Sequence, residues 1–116
     1  MRTALAPLLV ALSAILLVWL ILACARDRSA PGLYRSYCKR CHGAEGQGPD
    51  RKVKLYPYLN LRKSPMILRR DRAAVRQRIV EGHGPMPGFR RRLKPEELER
   101  LIDFTLQLPH TPEPKE

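Results

Sequence analysis

From Thr3 to Ala25 the sequence reads TALAPLLVALSAILLVWLILACA, and no charge falls between Arg2 and Arg26. A run of this kind belongs to a membrane or to a secretion machine rather than to a packed core. As a helix rising about 1.5 Å per residue it reaches roughly 30 Å, enough to cross a bilayer. It leaves 91 of the 116 residues for folding, the first 25 being set aside. That length suits one small domain and is too short for two. A domain so small buries a modest share of its surface and often needs a disulfide, metal or cofactor to complete its core. Charged residues at 28%, aromatics at 6% and 11 prolines argue against a multi-span membrane protein, a wholly disordered chain and a disulfide-dense toxin.

The apolar run ends in Ile21-Leu22-Ala23-Cys24, which resembles a bacterial lipobox. In one reading the leader is cleaved as a lipoprotein signal peptide and Cys24 is lipidated. In the other, residues 1–25 remain as an uncleaved transmembrane anchor. Both readings place the rest of the chain on the periplasmic or extracytoplasmic side, tethered to a bilayer.

Charge is unevenly distributed. Between Arg35 and Lys94 there are 17 Lys and Arg against 4 Asp and Glu, whereas from Pro95 onward there are 2 basic and 6 acidic residues. A polycation of this kind suits an acidic protein, anionic lipid or nucleic acid. Location outside the cytoplasm argues against nucleic acid.

The pattern beyond the leader predicts an all-α domain with long loops. Residues 26–31 read as a polar linker and 109–116 as a polar, Pro-rich tail. A brief helix is expected over Gly32 to Cys41, with Pro31 at its first turn. Gly43 to Pro65 reads as irregular loop with Tyr56, Tyr58, Leu59 and Leu61 as apolar anchors. Asp71 has the character of an N-cap for a helix over Arg72 to Glu81 that stops at Gly82, with Val75 and Ile79 on one face. The last helix begins at Pro95, carries Glu96 and Glu97 at its positive end, and presents Leu98, Leu101, Ile102, Phe104, Thr105 and Leu108 as an apolar stripe.

The chemistry lies in Cys38-Lys39-Arg40-Cys41-His42, the attachment signature of a c-type haem. Two thiols add to the haem vinyl groups as thioethers, and the His that follows the second Cys supplies an axial nitrogen. A thioredoxin-like CxxC needs a βαβ context that is absent here. A structural zinc site needs a second ligand pair, and only His83 and His110 remain. A plain disulfide leaves His42 unexplained. The odd count of three cysteines is then accounted for, with Cys38 and Cys41 on haem and Cys24 in the tether.

With CKRCHGAEGQG, IVEGHGPMPGF and LKPEELERLIDFTLQL in that order, the sequence resembles the class I cytochrome c family over roughly Ala30 to Leu108. The resemblance implies a small helical domain, residues 32–108, wrapped around one covalent haem c. It also implies that Tyr34, four residues before Cys38, meets Phe104 where the first and last helices cross. Two positions depart from the family. Ala30 stands where Gly is usual eight residues before the first Cys, with Gly32 two residues on, and Lys94 stands where the closing helix often has Ser or Asp. By the same resemblance Met86, in GPMPGF, is the sixth ligand, flanked by prolines that stiffen its loop. Met66 and His83 are the alternatives. A proline carbonyl, of Pro49 or Pro57, is expected to orient His42.

Iron with both axial sites filled exchanges electrons rather than binding a substrate. The sequence therefore reads as a one-electron carrier, or as the cytochrome subunit of a respiratory or photosynthetic complex, and not as an enzyme with a diffusible substrate. Lys39 and Arg40, beside the haem edge that the family leaves exposed, and Arg90, Arg91 and Arg92, just after the Met86 loop, are candidate docking residues for an acidic redox protein or membrane complex. The contrasting reading is a haem peroxidase or gas sensor that displaces Met86.

Overall fold

The computed structural model describes residues 5–23 and 25–108, so that Cys24, His110 and the 109–116 tail lie outside the described residues. Seven α-helices follow one another within these bounds: α1 (Leu5–Ala23), α2 (Ala30–Tyr37), α3 (Lys39–His42), α4 (Asp50–Leu55), α5 (Pro65–Leu68), α6 (Arg72–Glu81) and α7 (Pro95–Leu106). Among the described residues there is no strand, only an isolated bridge between His83 and Met86.

Helix α1 has a mean hydropathy of 2.8 and buries none of its residues, so it is long and apolar enough to cross a membrane. The remaining helices share one core built from Leu33, Tyr34, Ile67, Val75, Ile79, Phe89, Leu101, Ile102, Leu106 and Leu108. Helices α2 and α7 make the main crossing. Tyr34 and Phe104 meet there with ring centroids 5.3 Å apart and planes tilted by 54°, the arrangement expected for them. Helix α6 packs on α7 as well, burying Val75 and Ile79.

Caps explain where the two long helices of the domain start and stop. The Asp71 carboxylate accepts the Ala74 N–H at 3.0 Å, and α6 ends at Gly82 with φ of +75°, a conformation that disfavours any side chain. Lys94 cannot cap α7, because an ammonium accepts no hydrogen bond. Glu97 compensates by accepting the Lys94 N–H at 2.9 Å.

Several expectations are corrected. The first domain helix begins at Ala30 rather than Gly32, and it breaks at Cys38 before α3 resumes. Ser29 supplies its cap, accepting the Gly32 N–H at 3.2 Å. The stretch from Gly43 to Pro65 is not wholly irregular, since it contains α4 and two 3-10 turns, Pro57–Leu59 and Leu61–Lys63. Tyr56 and Tyr58 do not anchor it, being 49% and 59% exposed. Leu61 does, packing against the core, and just beyond the stretch Ile67 of α5 is buried as well.

Residues 26–31 are not a free linker. The Arg28 guanidinium holds Glu97 in a two-pronged ion pair, its Nε lying 2.7 Å from Oε1, and donates to the Arg92 carbonyl at 3.2 Å. Asp27 pairs with Arg35 at 2.7 Å and accepts the Ser29 N–H at 2.9 Å.

Candidate haem-attachment site

Cys38, Cys41 and His42 sit where α2 gives way to α3, and a set of hydrogen bonds holds this corner. The His42 and Gly43 amides bond back to Cys38 and Lys39 carbonyls at 2.9 and 2.8 Å. The Tyr34 hydroxyl donates to the Gly43 carbonyl at 2.9 Å, tying α2 to the end of α3. Gly48 N–H returns to the His42 carbonyl at 2.7 Å, and Leu61 N–H to the Gly46 carbonyl at 2.7 Å. Positive φ at Gly43, Gly46 and Gly48 permits so tight a return. Arg62 closes it from outside, bonding the Glu45 carbonyl at 3.1 Å and the Glu45 carboxylate at 2.6 Å.

His42 Nδ1 lies 2.9 Å from the Leu59 carbonyl. A carbonyl only accepts, so Nδ1 carries the proton and the lone pair is on Nε2. Burial lowers the His42 pKa, against the opposing pull of the Leu59 bond, and keeps the ring neutral. The orienting carbonyl is therefore Leu59, not Pro49 or Pro57. It sits at the end of the turn that Pro57 opens, two residues from one of the expected acceptors. Every residue carries a carbonyl, so no side-chain signal could have distinguished it.

Cys38 is partly buried against the core and Cys41 is exposed; neither is in a disulfide. Burial pushes the Cys38 thiol up to about 12. Among the described residues no three His, Cys, Asp or Glu side chains gather into a metal-binding group. Two unpaired thiols with an imidazole presenting a free Nε2 fit covalent haem attachment better than a protein-only metal site.

Met86 is held on a tight two-residue turn. His83 N–H donates to the Met86 carbonyl at 2.9 Å and Met86 N–H to the His83 carbonyl at 3.0 Å. Gly84, at φ +53°, and Pro85 form the tip, a pairing suited to a turn whose first central residue has positive φ. Phe89 N–H fastens the loop to the Ile79 carbonyl at 2.9 Å. Met86 is partly buried and packs on the core, as does Met66, while His83 is exposed.

The loop and the attachment corner are joined by aromatics: Phe89, three residues after Met86, lies 5.3 Å from Tyr37, the residue before Cys38. Tyr37 escaped the sequence reading, although its place beside the first Cys was a usable signal. The candidate docking residues divide. Lys39 and Arg40 are exposed on α3 and have no ion-pair partner among the described residues. Arg90 lies 3.9 Å from Glu81, whereas Arg91 and Arg92 are exposed, the Arg92 carbonyl accepting from Arg28. A separate cleft of about 720 Å³ between α6 and α7, floored by Val80, Phe89, Leu93 and Leu98, includes none of Cys38, Cys41, His42 and Met86.

A helical domain closed by an α2–α7 crossing, with CxxCH at the end of its first helix, defines a c-type cytochrome domain. Residues 25–104 match the family described as cytochrome c oxidase, cbb3-type, subunit III, and the chain belongs to that family. Such a domain carries covalently bound haem c and serves electron transfer. No curated protein matches the chain. The family match opens at Ala25, so Arg28 and Ser29 fall inside it.

Proposed function

We propose that the protein transfers single electrons through one haem c, held by thioethers to Cys38 and Cys41 and by axial bonds from His42 and Met86, as a membrane-tethered subunit or carrier serving a terminal oxidase. The observation that carries this reading is the His42 ring, neutral and oriented by Leu59, with Nε2 left for iron. The family's description supports an oxidase context. Helix α1, or a lipid on Cys24, supplies the tether.

When bound, haem supplies an iron that alternates between ferric and ferrous with little change in coordination. The protein's part is to keep that environment fixed. Leu59 prevents His42 from rotating. The His83–Met86 turn, pinned through Phe89 to Ile79, presents the thioether from a loop with little freedom left to lose. Tyr37 and Phe89, in contact, tie the Met86 loop to the Cys38 corner. Lys39 and Arg40 offer positive charge beside the thioether bonds and steer an acidic partner to that edge.

Spectroscopy tests attachment and ligation together. The reduced protein is expected to show a haem c spectrum that survives acid-acetone extraction, and the oxidised protein a weak near-infrared band from Met-to-iron charge transfer. Met86→Ala abolishes that band and Met66→Ala retains it. Rapid cyanide binding by the oxidised wild type would instead favour a displaceable ligand and overturn the carrier reading.

A further inference from the structure

Three consecutive residues beyond the anchor are bound to the domain. Asp27 holds Arg35 and the Ser29 N–H. Arg28 spans Glu97, the Arg92 carbonyl and, at 3.5 Å, the Tyr37 hydroxyl. Ser29 caps α2. Gly32 is buried because this returning chain runs against it: a Cβ there would meet Asp27 atoms at 2.3–2.5 Å. From the end of α1 at Ala23 to the first pinned residue, Asp27, there are four residue steps, which could span at most about 14 Å if fully extended. The polar layer outside the hydrocarbon is itself roughly 5–8 Å deep on each side, and fields from charged headgroups reach about 8 Å further at physiological salt. The part of the domain next to Arg28 cannot leave that zone.

That part is basic. The Arg92 carbonyl and the Lys94 N–H bond to the Arg28–Glu97 pair, and Arg91 and Arg26 lie within two residues of Arg92 and Arg28 in the chain. All four side chains are exposed and lack ion-pair partners among the described residues. The carboxylates on the same segments are Glu97, buried and held by Arg28, Asp27, held by Arg35, and Glu96, exposed on the first turn of α7. We infer that Arg26, Arg91, Arg92 and Lys94 form a face that rests on acidic phospholipid headgroups, so that the domain sits on the membrane in one orientation rather than swinging on a tether. The inference rests on the membrane-anchored reading above. It holds whether α1 persists or Cys24 carries lipid, because the pinned residues follow both. It also divides the basic residues: Lys39 and Arg40 are left to the redox partner, and Arg91 and Arg92 belong to the lipid side.

The full-length, haem-loaded protein in nanodiscs tests this by hydrogen–deuterium exchange. Discs of phosphatidylcholine alone are compared with discs of equal parts phosphatidylcholine and phosphatidylglycerol. Amides of residues 89–94 are expected to exchange severalfold more slowly in the acidic discs, and high salt reverses the protection. Arg91→Glu/Arg92→Glu removes it with the haem spectrum intact, whereas Lys52→Glu/Lys54→Glu, on α4, leaves it in place. Equal exchange in both discs from a protein that co-elutes with them overturns the lipid face and leaves the cluster to an acidic protein. Failure to co-elute with either disc sinks the anchored reading, and the lipid face with it.

Discussion

Glu97 is 4% exposed, yet it is ionised, because Arg28 and the Lys94 N–H both bond to its carboxylate. Those bonds, Arg28 first, hold its pKa at about 2, against an ordinary value of 4.5. A carboxylate depressed in this way stabilises the fold above its unfolded pKa, and that contribution is lost as pH falls through the folded one. Thermal melts of the haem-loaded protein are therefore expected to lose stability between about pH 4.5 and about pH 2. Glu97→Gln should melt lower at neutral pH and show a flatter profile across that window. An unchanged profile would mean that the acid transition belongs to other groups. Gly82 is a second decisive residue. Its φ is +75°, and a Cβ would stand 2.4 Å from the Met86 carbonyl and 2.6 Å from the Gly88 amide. Gly82→Ala is expected to cost at least about 1–2 kcal/mol. It should also shift the Met86 loop, which the near-infrared ligand band reads independently of stability.

At the scale of elements, α6 and α7 were legible because their signals are local. Asp71, Gly82 and Pro95 mark ends within one turn of the helices they bound, and Leu101, Ile102 and Thr105 recur at helical spacing. Asp71→Ala, which strips the cap from the Ala74 N–H, should lower stability by about 1 kcal/mol in a denaturant titration. Helices α4 and α5 and the two 3-10 turns were not legible. They span three to six residues each, below the length at which helical periodicity can be read. Their stability comes from distant partners, such as the Leu61–Gly46 and Gly48–His42 backbone bonds. The same reason hid Ile67, on α5, from the core.

For the molecule as a whole, the 17 basic residues between Arg35 and Lys94 are not one undivided surface. Arg72 and Arg76 are matched by Glu99 and Asp103 across the α6–α7 packing, and Arg62 by Glu45. Pairing so exposed adds little stability, but it removes these cations from partner steering. Lys39 and Arg40 remain beside the attachment cysteines. Lys39→Glu/Arg40→Glu is expected to slow electron transfer to an acidic partner about tenfold or more at low ionic strength and to flatten the salt dependence. Stopped-flow reduction across a salt series measures both. A variant with wild-type rates and salt slope would place docking elsewhere.

The haem-binding motif of a c-type cytochrome and a segment long and apolar enough to cross a membrane were legible in sequence alone, since each is written in contiguous residues: CKRCH in one place and the uncharged run before Arg26 in another. So were the two helices that carry their own caps. Tertiary structure alone decided that Leu59 orients His42, 17 residues away, and that Arg28 belongs to the domain through Glu97, 69 residues away. One partner is a backbone carbonyl, which every residue carries. The other is one of 22 Lys and Arg. Nothing in such groups marks a partner until the fold brings the two together.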